Sequence, residues 1–182
     1  AAHYQFEALH PFTDGNGRIG RLIAILQLMD YGLLSEPLIN LSPYFEAQSD
    51  RYRHLLREVS TVGAFDAWIT YFCNALSAQA MDAESRIRAL LAWREDALAT
   101  LRARGMKGVA LAVTEKLIEF PSLTVKHVSD THNVSVQAAN HAVGRLTEAG
   151  ILEEVTGRSY NRVFQAPAVL DILFRPAPTP TR

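Results

Sequence analysis

Residues 10–21 read His10-Pro11-Phe12-Thr13-Asp14-Gly15-Asn16-Gly17-Arg18-Ile19-Gly20-Arg21. A residue before proline disfavours the helical region, so a helix over the opening residues ends before Pro11. Beyond the turn-rich loop HPFTDGNGR, the apolar residues Ile19, Leu22, Ile23, Leu26 and Met29 recur at helical spacing. This predicts a second helix from about Gly17 to Asp30, stopped at Gly32. The stretch is therefore a loop between two helices. Two glycines around an asparagine, directly before a helix, let successive backbone N–H groups converge on one point. Such a concavity binds anions, phosphate above all. Arg18 and Arg21 stand on adjacent positions of the first turn and can reach one anion with charge-assisted bonds. Asp14 beside a polyphosphate is a natural oxygen ligand for Mg2+. His10 can take up a proton near neutral pH, as a general base must. Base, metal ligand, anion cradle and two cationic clamps together make a site for attack on a nucleotide phosphate.

The run Gly15-Asn16-Gly17-Arg18-Ile19-Gly20 also matches G-x-G-x-x-G formally. A dinucleotide site needs a strand before the glycines and a second strand ending in an acidic residue about twenty residues on. Here a helix and a His-Pro-Phe turn precede the glycines, and a Pro-containing connector, LLSEPLINLS, comes after them. A plain inter-helix loop leaves Asp14, Arg18 and Arg21 unexplained.

Working outward, Ser42-Pro43 reads as an N-cap with proline at the first helical position. Helices are expected around 48–60, 65–81 and 82–104, and Gly105 and Gly108 punctuate the chain after the last of them. After Gly108 the pattern changes. A helix over about 109–119 ends at Phe120-Pro121-Ser122. Thr124 caps a short helix to about 131, and Ser135 caps another to Glu148, stopped by Gly150. Two strand-like pieces, ILEEVT and NRVFQA, flank the turn Gly157-Arg158-Ser159-Tyr160. The short helix AVLDILF and a Pro-rich tail, expected to be disordered, close the chain.

The 182 residues carry a formal net charge of −1 and are 48% hydrophobic and 20% charged. That supports one or two domains with a real core and excludes general disorder. The near-zero charge argues against holding nucleic acid by bulk electrostatics. A single cysteine, Cys73, excludes a disulfide scaffold or a cysteine zinc site, and its apolar helical setting reads as a buried structural thiol. No apolar run of about 18 residues exists, which excludes a spanning helix, and no leader pattern is visible. A cytoplasmic protein with no membrane partner is expected. The opening Ala-Ala-His-Tyr-Gln-Phe lacks Met and already has helical spacing, which reads as a piece beginning inside a helix of a longer protein.

The loop resembles the signature of Fic-domain proteins, H-x-F-x-(D/E)-G-N-G-R-x-x-R, at every specified position. AHYQFEALHPF before it, the PLINLSPYF connector and the SDRYRHL and AFDAWITYF segments are also similar to the Fic core. The part from 109 to 175 resembles the winged-helix module that often comes after this core, in FPSLTVKHVSD, LTEAGILEEVTGR and NRVF. The resemblance implies a mainly α fold. A Fic-type helical bundle core over 1–81 and a connecting helix over 82–108 precede a small winged helix-turn-helix domain with a β-hairpin over 109–175 and the tail 176–182.

It further implies transfer of AMP from ATP to a Tyr, Thr or Ser hydroxyl of a target protein, releasing pyrophosphate. His10 would deprotonate the hydroxyl, and Asp14 would hold Mg2+ between the α- and β-phosphates. The Gly15-Asn16-Gly17 backbone, with the Asn16 side chain, would stabilise phosphate charge. Arg18 and Arg21 would orient the β- and γ-phosphates, and Phe12 would be a buried anchor of the loop. Tyr52 matches a tyrosine near the nucleotide base, with core packing the other reading. Gly17 stands where kinase-like members carry lysine, which favours nucleotidyl transfer. The family's target-docking hairpin would lie upstream of Ala1. No Glu here is followed by Gly or Asn, so the family's inhibitory S/T-x-x-x-E-G/N motif is missing from this sequence.

His3, His127, His132 and His141 read as structural or surface residues. The 135–148 helix, with Gln137, Asn140, His141 and Arg145, and the wing arginines Arg158 and Arg162 are candidate DNA contacts. Residues 109–175 carry six Lys/Arg against seven Asp/Glu, however, which favours protein contacts or a homodimer over DNA as the partner. The competing function is a nucleotide-sensing transcriptional regulator or adaptor.

Overall fold

The computed structural model describes residues 1–158 and 160–176. It is mainly helical with one small sheet, and it divides into two compact units, Ala1–Ser85 and Arg86–Pro176. The tail expected to be disordered, beyond Pro176, and Ser159 of the expected turn lie outside the described residues.

The first unit opens with α1 (Ala2–Leu9), the loop, and α2 (Asn16–Asp30). The face of α2 turned to the interior is Gly20, Ala24 and Ile25, while Leu22 and Leu26 are half exposed. Gly20 lets α1 side chains come close to the α2 backbone. A Cβ there would lie 2.5 Å from Glu7 Oε1, 3.2 Å from Phe6 and 3.3 Å from His3. The short α3 (Ser42–Ala47) carries Pro43 in its first turn. Its start differs from expectation: Leu41 stands at the N-cap and no side chain caps the helix, while Asn40 Oδ1 accepts from the Ser42 N–H at 3.1 Å. α4 (Ser49–Val62) and the start of α5 (Phe65–Ala103) complete the unit. Its core joins Leu41, Tyr44, Phe45, Leu55, Val59, Trp68, Tyr71 and Ala75.

α5 is one unbroken helix of 39 residues, not two. Nothing between Gln79 and Ser85 breaks a helix. What changes there is the buried face, from Trp68, Tyr71 and Ala75 to Ala97, Leu98 and Leu101. Cys73 is exposed, which corrects its reading as a buried thiol. Trp68, Tyr71, Phe72 and Ala75 take the inward positions of that turn, and Cys73 falls on the opposite side.

In the second unit, α6 (Val109–Lys116) precedes the strand β1 (Ser122–Thr124). α7 (Val125–His132) is capped by Thr124 Oγ1, which accepts from His127 N–H at 3.1 Å. α8 (Val136–Glu148) is capped in the same way by Ser135 Oγ, accepting from Ala138 N–H at 3.1 Å. The expected hairpin forms from β2 (Glu153–Glu154) and β3 (Val163–Gln165), antiparallel with Glu154 opposite Phe164. Glu154 Oε1 accepts from the N–H groups of Thr156 and Gly157 and from the Thr156 hydroxyl, which fixes the turn's start. β1 was not expected as a strand. Three residues are too short for alternation to show, and β1 exists because Leu123 pairs with Phe164 across the sheet, in the order β1-β3-β2. α9 (Pro167–Phe174) comes last, and Leu101, Val113, Leu117, Val128, Leu146, Phe164 and Val169 form the core beneath these elements. Among the described residues, no helix is long and apolar enough to cross a membrane.

Candidate functional site

The loop between α1 and α2 is built from a left-handed residue, a side-chain brace and an uncapped helix start. His10 ends α1 with φ 45° and ψ 56°, its N–H donating to Phe6 O at 3.0 Å, and it is exposed. A non-glycine residue in that region is uncommon and signals a local constraint. The constraint is visible a few residues further along the loop. Asn16, 2% exposed, accepts at Oδ1 from the Phe12 N–H at 2.9 Å and donates from Nδ2 to the Phe12 carbonyl at 2.6 Å. The loop is thus anchored through the backbone of Phe12. The Phe12 ring, expected to be buried, is 50% exposed and lies 6.2 Å from the Phe6 ring. The Asn16 amide, expected to serve phosphate charge, is engaged by the loop itself.

Gly15 caps α2 in the left-handed region, φ 81°, where glycine carries no Cβ penalty. Its carbonyl accepts from Ile19 N–H at 3.0 Å, and no side chain caps the helix start. The N–H groups of Asn16, Gly17 and Arg18 therefore have no intrahelical acceptor, and the positive end of the helix dipole lies there. No acidic residue stands in the first turn to satisfy it.

Asp14 and Arg18 flank this start. Asp14 Oδ1 accepts from Gly15 N–H at 2.7 Å, and Asp14 Oδ2 lies 3.5 Å from Arg18 Nη2. Their side chains are 91% and 76% exposed, so this ion pair holds them only weakly and both can turn to a ligand at little cost. Arg21 is less open than Arg18. It is half-buried, with Nε inaccessible and unpartnered. Its Nη1 passes 3.2 Å from the place a Cβ on Gly17 would occupy, so the second motif glycine leaves room for the guanidinium.

Glu7 is the residue that sequence reasoning missed. Its Oε1 is buried without a hydrogen-bond partner beside Gly20 and Gly17. The only signal was its position four residues after His3 on one face of α1. His3 is structural as expected: it is 4% exposed, stacked on Trp68 at 5.8 Å, and bonded through Nε2 to Tyr52 OH at 3.0 Å. Burial lowers its pKa against the opposing pull of the Gly20 backbone and Glu7. Tyr52 stacks on Phe45 at 4.8 Å, and burial raises the pKa of its phenol. Its ring and hydroxyl are both engaged in the core of the first unit, away in the chain from the loop residues His10 to Gly15 and the first turns of α2 with Asn16, Gly17, Arg18 and Arg21.

Among the described residues, no group of three or more His, Cys, Asp or Glu side chains could hold a metal. The exposed Asp14 carboxylate is a hard oxygen donor and fits Mg2+ as a single protein ligand, with phosphate oxygens and water supplying the rest.

Residues 1–28, which hold the whole loop and most of α2, match the model of the Fic/DOC family. The chain is 44% identical to a probable protein adenylyltransferase of Aquifex aeolicus (strain VF5) over 45 residues, 25% of this chain and 14% of that protein. It is 55% identical to a Fido domain-containing protein of Dictyostelium discoideum over 29 residues, 16% of this chain and 20% of that protein. The chain thus spans less than a quarter of the length of these curated relatives. These matches are confined to short stretches and are similarities to the Fic/DOC family and to a protein named as a probable adenylyltransferase.

Proposed function

We propose that this chain carries the nucleotide site of a protein adenylyltransferase, which moves AMP from ATP to a Tyr, Thr or Ser hydroxyl of a target protein. The observation that carries the reading is the uncapped first turn of α2, with the N–H groups of Asn16, Gly17 and Arg18 free, flanked by His10, Asp14, Arg18 and Arg21. In this reading the hydroxyl oxygen attacks the α-phosphorus, its proton passes to the His10 imidazole, and the bond from the α-phosphorus to the bridging oxygen breaks to release pyrophosphate. The free N–H groups and the helix dipole stabilise charge on the phosphates, preorganised by the Asn16–Phe12 brace. Arg18 and Arg21 orient the outer phosphates, and Asp14 would hold Mg2+. That ion supplies charge neutralisation on the phosphate oxygens. The work is positioning and electrostatics with one base. Tyr52 serves this reading best as a support of the fold.

The order α6, α7–α8 and the β2–β3 hairpin supports a winged-helix reading of the second unit, with protein contacts as its role. The test is incubation of the full-length protein with α-labelled ATP and candidate target proteins. Label on the target in the wild type and none with His10→Ala is the expected result. Label on no protein, or equal label with His10→Ala, overturns the reading.

A further inference from the structure

Two of the buried polar atoms left without a partner lie beside the loop, and they have opposite charge. Glu7 Oε1 and Arg21 Nε are both inaccessible, and neither is hydrogen-bonded. They come from different helices, Glu7 from α1 and Arg21 from α2, onto one spot. A Cβ on Gly17 would lie 3.2 Å from Arg21 Nη1 and 3.9 Å from Glu7 Oε1. Gly20 clears the same space, since its Cβ would fall 2.5 Å from Glu7 Oε1. The charges of both groups also act on the same buried neighbours, His3 and Tyr52.

A buried carboxylate oxygen and a buried N–H of a guanidinium are complementary, and leaving both unpaired is costly, so a small side-chain rotation that joins them is favoured. The guanidinium is a rigid planar fork of five donors. If its Nε side is held inward, the direction of its outer Nη side is set. We infer that Glu7 is a positioning residue for Arg21: from beneath the first turn of α2, its carboxylate engages the inner Nε–H and so aims the outer edge of the guanidinium at the anion site. Glu7 itself touches no substrate. The inference rests on the nucleotide reading above for what Arg21 grips, but the pairing of the two side chains does not.

The pairing is tested without nucleotide. In full-length protein labelled with 15N, the Arg21 Nε–H resonance is assigned by its loss in Arg21→Lys. A signal protected from exchange in the wild type, which moves and exchanges faster in Glu7→Leu, is expected. An Arg21 Nε–H that exchanges like that of a free arginine in the wild type, or is unchanged in Glu7→Leu, overturns the inference. The wild-type signal and the Glu7→Gln variant decide the matter even if Glu7→Leu does not fold. The second arm is calorimetric binding of Mg-ATP and of AMP. Glu7→Leu should weaken ATP about tenfold, the value of one well-placed charge-assisted hydrogen bond, and leave AMP unchanged. Glu7→Gln, which keeps an oxygen acceptor, should restore most of the affinity. ATP binding that is unchanged or tighter in Glu7→Leu, or an equal loss for ATP and AMP, overturns the positioning role. If the wild type binds neither ligand, the nucleotide reading fails, and the resonance arm still decides whether Glu7 holds Arg21.

Discussion

The side chain of Asn16 and the backbone of Phe12 form a closed pair, with Oδ1 accepting from the Phe12 N–H at 2.9 Å and Nδ2 donating to its carbonyl at 2.6 Å. Both partners of this brace are polar groups that nothing else in the loop satisfies, and Asn16 is 2% exposed. Asn16→Ala leaves a donor and an acceptor of the loop unpaired, with a cost of about 2 kcal/mol. Asn16→Asp keeps one acceptor but turns a second oxygen toward the Phe12 carbonyl, and should cost at least as much at neutral pH. Urea unfolding of the two variants measures this. A change within error for both would show that the brace is ornamental to the fold.

Two glycines on helices should respond to alanine with opposite signs. At Gly20 a Cβ would stand 2.5 Å from Glu7 Oε1 and little more than 3 Å from Phe6 and His3, so Gly20→Ala forces α1 and α2 apart. The expected loss is about 1–3 kcal/mol. At Gly144, within α8, nothing lies within 4 Å of the added carbon, so Gly144→Ala should gain about 1 kcal/mol from helix propensity alone. Thermal unfolding of the pair is the measurement. Equal shifts in one direction would contradict the close approach at Gly20.

What the sequence reveals and what it hides separate by range. The caps at Thr124 and Ser135 are local, each decided by one hydroxyl and an N–H three residues on, and both form as expected. The ends of the helices that flank the loop, before Pro11 and near Gly17, are local too and fall within one residue of the expected places. Phe12 and Cys73 depend on tertiary packing, and each has a burial different from the expected one. An apolar side chain in a signature loop does not announce that its backbone, not its ring, is the anchor. The strand β1 needs Phe164, distant in the chain, to exist at all. Glu7 gave almost no signal, because its role comes from facing Gly17 and Gly20 on another helix.

His3 gives the first unit a pH dependence with a definite sign. Burial holds its pKa below the ordinary 6.5, so in the window between the two values the unfolded chain binds more protons than the fold. Stability therefore rises with pH through that window, is complete above about 6.5, and falls as the pH drops toward the folded value. The contribution is at most about 1.4 kcal/mol per pH unit. Urea midpoints of the wild type and of His3→Gln at a series of pH values on either side of 6.5 isolate it, because other groups cancel in the difference. A difference that does not change with pH would mean that His3 is not kept neutral by the fold.

Arg86 closes the end of α9. Its Nη1 donates to the carbonyls of Ile172 and Leu173 at 3.1 and 2.8 Å, and its Nη2 to that of Arg175 at 2.9 Å. These are carbonyls at the end of a helix, with few partners of their own and the negative pole of the dipole behind them. Arg86→Met keeps the apolar stem and removes all three bonds, so it should destabilise the second unit by about 2–4 kcal/mol. Arg86→Lys keeps the charge but offers a compact ammonium in place of a planar fork, and should recover only part of that loss. Hydrogen exchange resolved by peptide separates this from a general effect. In both variants the amides of α9 should exchange faster, while those of α2 should not change. Uniform acceleration across the chain, or full rescue by lysine, would show that the charge of Arg86, and not its fork on the α9 carbonyls, is what matters.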